Sequence, residues 1–169
     1  AGVLGVVSVG SAGVVALAGT QAGTVPLSPA GAPESGMPPA MAALYREAAP
    51  VCPGLSWTIL AAIGTVESSN GTSHLPGVRA GANPAGAEGP MQFLPATFAA
   101  YSLPVPPGGA DPPSPYDPTD AVYAAARMLC ADGARDGADV SGAVYAYDHS
   151  PAYVAQVLSV AAAYAAQSS

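Results

Sequence analysis

The sequence predicts a mainly α-helical domain whose helices are joined by long irregular loops. Apolar residues recur at helical spacing, whereas the strict alternation that is typical of strands is scarce. Capping residues stand before the apolar stretches and turn residues stand after them. With 20 glycines and 19 prolines among 169 residues, the chain is too rich in turn formers for a coiled coil, and these residues supply the loops.

The first 23 residues, AGVLGVVSVGSAGVVALAGTQAG, carry no charge. Three interpretations are open: the core of a signal peptide, a membrane anchor, or a buried helix of the domain. We favour the first two, because a core helix would show polar positions at the helical period. Either one places the rest of the protein outside the cytoplasm, secreted or anchored to the outer face of the cytoplasmic membrane. Residues 24–40 have the Pro-, Gly- and Ala-rich composition of a linker, which leaves 41–169 as the domain.

Two helices are expected in the first half of the domain. The first covers residues 41–48. The second begins after Ser56, a residue type that caps helices, and ends near Asn70, where an Asn-Gly pair is a usual stop signal. The apolar residues of this second helix are Ile59, Leu60, Ile63 and Val66.

Three further helices follow a predicted surface loop at residues 102–118, which contains seven prolines. Asp117 caps the next helix, and Asp132-Gly133 ends it. A short helix at 140–147 precedes a last one that opens at Ser150-Pro151. The expected buried stripes are Val122, Ala126 and Leu129 on the first of these helices, and Val154, Val157, Leu158 and Ala161 on the last.

The charge pattern excludes several classes of function. The net charge is −7, with no lysine and four scattered arginines, too few cations to neutralise a nucleic-acid backbone. No nucleic-acid partner is therefore expected. Two cysteines are too few for a zinc site, and His74 and His149 lie 75 residues apart. We expect no metal and no cofactor.

The cysteines, Cys52 and Cys130, lie 78 residues apart. Export would bring them into an oxidising compartment, where one disulfide between them is the simplest outcome. Two buried free thiols are the alternative.

Glu67 stands out because of its position on the second predicted helix. It follows Leu60 by seven residues and Ile63 by four, and so shares their apolar face. It also lies in the last turn, where the helix dipole disfavours an anion, and partial desolvation acts in the same direction. A carboxylic acid that stays protonated near neutral pH can serve as a general acid. A solvent-facing glutamate at a helix end is the alternative.

Three blocks of the sequence resemble the signature of the soluble lytic transglycosylases, the goose-lysozyme-like enzymes of bacterial cell walls. The first is the Glu-Ser pair that begins at Glu67. The second is residues 83–93, NPAGAEGPMQF, and the third is residues 146–150, AYDHS. The resemblance covers about residues 41 to 165, and residues 52–57 are similar to secreted actinobacterial members.

The resemblance implies a lysozyme-like single domain that acts as a monomer and binds peptidoglycan glycan strands. Glu67 would protonate the oxygen of the β-1,4 bond between N-acetylmuramic acid and N-acetylglucosamine. It would then accept the proton of the muramoyl C6 hydroxyl, which closes a 1,6-anhydro ring. Assistance by the substrate's N-acetyl group explains why one carboxylate suffices where most glycosidases need two.

The same resemblance implies roles for other residues. Tyr147 would hydrogen-bond Glu67 or the acetamido group, and Gln92 with the main chain around Met91 would hold the sugar. The expected substrate-binding residues are Ser68, Asn83, Met91, Gln92, Tyr147 and Asp148.

Asp148 departs from the family pattern, which usually has asparagine there. An ionised aspartate only accepts hydrogen bonds, so a donor role is lost and Asp148→Asn should raise activity. Alternatively, Asp148 lies near Glu67 and its charge helps to keep that acid protonated. Glu88 would give a hydrolytic muramidase if it activated water, although an exposed loop glutamate is the simpler interpretation. A non-catalytic wall-binding module is a further alternative, supported by Asp148 and opposed by Glu67.

Aromatic residues outside the blocks have less definite roles. Trp57 is expected in the core, as is Phe93 of the second block. Whether Tyr101, Tyr116 and Tyr153 contact substrate stays open.

Overall fold

A computed structural model describes residues 36–168. Within these residues it contains α-helices and short turns of 3₁₀ or π helix but no strand, so the mainly α-helical fold is confirmed. The predicted signal or anchor segment lies outside the described residues, and no helix within them is both long and apolar enough to span a membrane. The helices are α1 (Pro39–Ala48), α2 (Trp57–Ser68), α3 (Pro95–Tyr101), α4 (Pro118–Leu129), α5 (Val140–Asp148) and α6 (Pro151–Gln167).

Helix α2 is the centre of the fold. Its residues from Thr58 to Gly64 are all buried, and it packs against α1, α4 and α6. A helix that is apolar on all sides must lie inside a domain, because no face of it suits water. The predicted cap is present, since the Ser56 hydroxyl oxygen accepts the Thr58 N–H at 3.3 Å. Helices α1, α4 and α6 form a shell around α2, and α3 and α5 pack onto that shell.

The first described helix begins slightly earlier than residue 41, the predicted start of the domain. Helix α1 starts at Pro39, and the side chain of Met37 is already buried in the core. The last residues of the predicted linker therefore belong to the domain. The rest of that linker lies outside the described residues.

Helix α4 follows the expected loop, and its predicted stripe of Val122, Ala126 and Leu129 is fully buried. Asp117 caps it by accepting N–H groups of its first turn. The α-helix ends at Leu129 and continues as a wider turn to Ala134, which contains the predicted stop at Gly133.

The short helix α3 was not predicted. It has no side-chain cap, because apolar Leu94 precedes it, and a proline in its first turn is its only start signal. With seven residues it is too short to show a helical period. Its Phe98 packs edge-on against Phe93 and fixes the helix on the core.

The buried stripe of α6 was predicted one position out of register at its start. Val157 and Ala161 are buried as expected, but Tyr153 and Tyr164 complete the stripe. Val154 and Leu158 are only partly buried beside it. The hydroxyls of these two tyrosines hydrogen-bond Glu67 and Thr65 of α2, which favours their inward position.

Cys52 and Cys130 form the expected disulfide, with their Cα atoms 5.3 Å apart. It joins the segment before α2 to the end of α4. The bond therefore ties the start of the central helix to its shell.

Candidate active site

Glu67 lies in the last turn of α2, where that buried helix reaches the surface. The helix ends one residue later, at Ser68. Ser69 and Asn70 then adopt left-handed conformations, with φ of 52° and 58°. This reversal turns the chain away at once, so the Glu67 side chain lies at the boundary between the core and a cleft.

A buried set of polar side chains holds the end of α2. The Tyr45 hydroxyl of α1 donates to Asn70 Oδ1 at 3.0 Å, and Asn70 Nδ2 donates to Thr65 Oγ1 at 3.2 Å. The Thr65 hydroxyl pairs in turn with the Tyr164 hydroxyl of α6 at 2.7 Å. Only glycine fits at position 64, since a Cβ atom there would overlap the Tyr45 hydroxyl. The turn that carries Glu67 is thus fixed to the helices on either side.

Ser68, expected to bind substrate, is placed in the interior. Its side chain is buried and donates to the Pro90 carbonyl oxygen at 2.6 Å. The same hydroxyl oxygen accepts the Gly71 N–H at 2.8 Å. Ser68 therefore joins the end of α2 to the second sequence block and is not in a position to face a ligand.

Asn83 and Gln92 close the loop of the second block. Asn83 Oδ1 accepts the N–H groups of Ala85 and Ala87, and its Nδ2 donates to Gln92 Oε1 at 3.0 Å. Gln92 has a left-handed backbone, with φ of 50°, and its Nε2 donates to the Gly89 carbonyl oxygen at 2.8 Å. Both side chains are partly buried and face the cleft.

The hydrogen bond expected from Tyr147 to Glu67 is made by Tyr153 instead. The Tyr153 hydroxyl donates to Glu67 Oε1 at 2.6 Å, whereas the Tyr147 hydroxyl donates to the Met91 carbonyl oxygen at 2.8 Å. The two phenol rings are nearly parallel, with centroids 6.4 Å apart. Tyr153 has this position because it lies in the first turn of α6, the helix that packs against α2. The Met91 side chain, expected among the substrate-binding residues, is fully buried and does not line the cleft. Its carbonyl oxygen accepts the hydrogen bond from Tyr147.

The three blocks meet around one cleft with a volume of about 320 Å³. Asp148 and His149, at the end of α5, lie on its rim with their side chains exposed. Leu94, which the sequence reasoning did not single out, adds an apolar patch. The residues that line the cleft are Glu67, Asn83, Ala85, Ala87, Gln92, Leu94, Tyr147, Asp148 and His149.

Burial raises the pKa of Glu67 from 4.5 to about 7. The hydrogen bond from Tyr153 opposes this effect and lowers the pKa, because it stabilises the anion. The negative charge of Asp148 raises the pKa further. Burial also raises the pKa of the Tyr153 phenol, which therefore remains a hydrogen-bond donor to Glu67. The second of the two alternatives for Asp148, a charge beside Glu67, is the one that this arrangement supports.

Other singled-out residues lie outside the cleft that Glu67 lines. Phe93 is buried as expected, and its backbone pairs with that of Glu88 in a tight turn. Trp57 is partly buried, with the Arg46 guanidinium 4.0 Å above its ring. His74 is exposed. None of these four side chains lines the cleft.

A helical domain whose central helix ends on a largely desolvated carboxylic acid in a polar cleft has the architecture of a lysozyme-like enzyme. The family model of the transglycosylase SLT domain matches residues 45–168. The chain belongs to this family, whose domains act on peptidoglycan, a polymer outside the cytoplasmic membrane. Searches of the curated proteins and of the solved structures gave no match.

Replacing Glu67 with glutamine should make the folded protein more tolerant of alkaline pH. The raised pKa means that folding favours the protonated acid, so its contribution to stability is present below pH 4.5 and is lost as pH rises through about 7. Glutamine resembles the protonated acid at every pH. Between acidic and mildly alkaline pH, Glu67→Gln should gain about 2 to 3 kcal/mol in unfolding free energy relative to the wild type.

Denaturant unfolding across this pH range measures the gain. The same substitution at the exposed Glu47 of α1 is the matched control, and its difference from the wild type should change little. A pH-independent difference for Glu67→Gln would contradict the raised pKa.

Proposed function

We propose that the protein is a lytic transglycosylase that cleaves the β-1,4 bond between N-acetylmuramic acid and N-acetylglucosamine with Glu67 as its single acid and base. The observation that carries this proposal is the Glu67 carboxyl, which is partly buried, lines the cleft and accepts a hydrogen bond from Tyr153. Membership of the family supports the substrate class.

In the first step the protonated Glu67 transfers its proton to the glycosidic oxygen. The bond from that oxygen to the muramoyl C1 breaks, and N-acetylglucosamine leaves with a free C4 hydroxyl. The carbonyl oxygen of the muramoyl N-acetyl group forms a bond to C1 in its place, so no protein nucleophile is required. A pKa of about 7 lets Glu67 hold its proton at neutral pH and still release it readily.

In the second step the Glu67 carboxylate takes the proton of the muramoyl C6 hydroxyl. The C6 oxygen attacks C1, the bond to the N-acetyl oxygen breaks, and a 1,6-anhydro ring closes. Glu67 is protonated again and no water is consumed. The hydrogen bond from Tyr153 stabilises the carboxylate between the two steps and keeps it in one orientation.

The remaining residues of the site act on the substrate or on the loop that holds it. Asn83 and Gln92 present polar amide groups on the wall of the cleft. The Tyr147 hydroxyl donates to the Met91 carbonyl oxygen and so joins α5 to that wall. We assign Ser68 a positioning role, because its bond to Pro90 sets the loop relative to Glu67.

Hydrolysis of the same bond is the second candidate, and Asp148 is the observation that favours it. It is an exposed carboxylate on the rim of the cleft and can accept a proton from water. A wall-binding module without activity is the third candidate function.

The apolar segment at 1–23 would export the domain or anchor it to the membrane. We propose that the domain acts as a monomer.

Muropeptide analysis of purified cell walls tests the proposal. The wild type should release muropeptides that end in 1,6-anhydro-N-acetylmuramic acid, which are one water lighter than the hydrolytic products. Glu67→Gln keeps the shape of the side chain but has no proton to transfer, so release should fall by at least about a hundredfold. Glu47→Gln, the matched control, should act as the wild type does. Products that have gained water would establish the muramidase, and no release by the folded wild type would favour the binding module.

Two substitutions beside Glu67 should move the alkaline limb of the pH–rate profile in opposite directions. The rate falls as Glu67 ionises, so this limb follows its pKa. Tyr153→Phe removes a bond that lowers this pKa and should shift the limb to higher pH, with a rate on the order of tenfold lower on the acidic plateau. Asp148→Asn removes a charge that raises the pKa and should shift the limb to lower pH.

Wall lysis measured from about pH 5 to 9 gives these profiles. Tyr101→Phe, which changes a tyrosine of α3 outside the cleft, is the control for Tyr153→Phe. Shifts of the same sign in both variants would show that Glu67 does not set the limb.

A further inference from the structure

The fixed charge of the cleft is negative. Asp148 lines it as an exposed carboxylate, whereas Glu67 keeps its proton for part of the time at neutral pH, and none of the four arginines lines it. The chain has no lysine. Arg79 donates to the Thr72 carbonyl oxygen. Arg127 donates to the carbonyl oxygens of Tyr101, the last residue of α3, and of Pro104. His149 is the one basic residue among those that line the cleft.

Part of the hydrogen-bond donor capacity of the cleft is used within its own walls. Asn83 Nδ2 donates to Gln92 Oε1, and Gln92 Nε2 donates to the Gly89 carbonyl oxygen, so each amide spends an N–H on the loop itself. The Tyr147 hydroxyl donates to the Met91 carbonyl oxygen. Asp148 is exposed and contributes a carboxylate that only accepts. Such a surface complements a group that is positively charged and rich in N–H donors.

We propose that Asp148 makes the cleft selective for glycan strands that carry a free primary ammonium group beside the cleaved bond. This inference rests on the proposed function. Two parts of peptidoglycan can supply the ammonium group: a glucosamine that lacks its N-acetyl group, or the ω-amino group of a diamino acid in the stem peptide. The muramoyl sugar at the cleaved bond keeps its N-acetyl group, because that group forms the bond to C1.

The asparagine that is usual in the family would serve a different substrate. An amide donates to an acetamido carbonyl and accepts from an acetamido N–H, so it suits a fully N-acetylated strand. A carboxylate cannot donate to the carbonyl and repels the carboxylates of stem peptides. The carboxylate attracts an ammonium group in the same place. Asp148 therefore favours an ammonium group where asparagine would favour an acetamido group.

The expected selectivity is modest because Asp148 is exposed. Pairs of exposed charges give up to about a fivefold effect on an equilibrium, and salt weakens them. We therefore expect about a fivefold preference in kcat/KM for the ammonium-bearing strand at about 0.05 M salt, and little preference at about 0.5 M.

Two pairs of substrates distinguish the sources of the ammonium group. The first pair is peptide-free glycan strands, either fully N-acetylated or with part of the glucosamine de-N-acetylated. The second pair is N-acetylated strands whose stem peptides have their ω-amino groups free or chemically acetylated. For each pair, kcat/KM is compared in the wild type, in Asp148→Asn and in the charge-matched control Asp111→Asn, an exposed loop residue outside the cleft. A ratio taken within one variant cancels the effect of Asp148 on the pKa of Glu67.

The wild type and Asp111→Asn should prefer the ammonium-bearing member of at least one pair, and Asp148→Asn should lose that preference. Equal ratios in the wild type and Asp148→Asn for both pairs would overturn the inference. Strand binding to Glu67→Gln and to Glu67→Gln/Asp148→Asn gives the same comparison without catalysis. Failure of the proposed function would appear as absent anhydro products with every strand, while the binding ratios would still decide the role of Asp148.

Discussion

The burial of the Glu67 carboxyl at the end of α2 is the constraint on which the rest of the site depends. A helix that is buried over most of its length must reach the surface somewhere, and here it does so on a titratable group. The helix ends there because the chain reverses direction through the left-handed conformations of Ser69 and Asn70. Tyr45 and Tyr164 hold that reversal from α1 and α6. The same packing that buries α2 therefore desolvates the acid and fixes its position.

Two neighbours act on this acid with opposite signs. Tyr153 donates a hydrogen bond that stabilises the anion, and Asp148 contributes a charge that destabilises it. The two residues lie on successive helices, α5 and α6, that meet at the cleft. An acid that gives up a proton and then recovers one works best when its protonated and ionised forms have similar free energies. At neutral pH, a pKa near neutrality satisfies this condition. The cleft thus sets the pKa of Glu67 through packing as well as through its charges.

Much of this structure could be predicted from local signals. Ser56, Asp117 and Ser150 each cap the helix that was expected after them. The partial burial of Glu67 is one of the two alternatives that its spacing from Leu60 and Ile63 left open. These features depend on residues a few positions apart.

Features that depend on distant contacts were harder to predict. Helix α3 has no polar cap and is held by Phe98 against Phe93. The choice between Tyr147 and Tyr153 as the partner of Glu67 depends on how α5 and α6 cross, which neither helix encodes alone. Tyr153 could have been found from its place on the buried stripe of α6 with Val157, since a tyrosine there needs a hydrogen-bond partner in the core.

Direct titration of the Glu67 carboxyl tests the account most directly. The chain has four glutamates, so carbon-13 NMR of protein labelled at the glutamate side-chain carboxyl gives few signals, and the one missing from Glu67→Gln identifies Glu67. The account predicts a titration midpoint near pH 7 for this signal. A midpoint near 4.5, the ordinary value for glutamate, would contradict it.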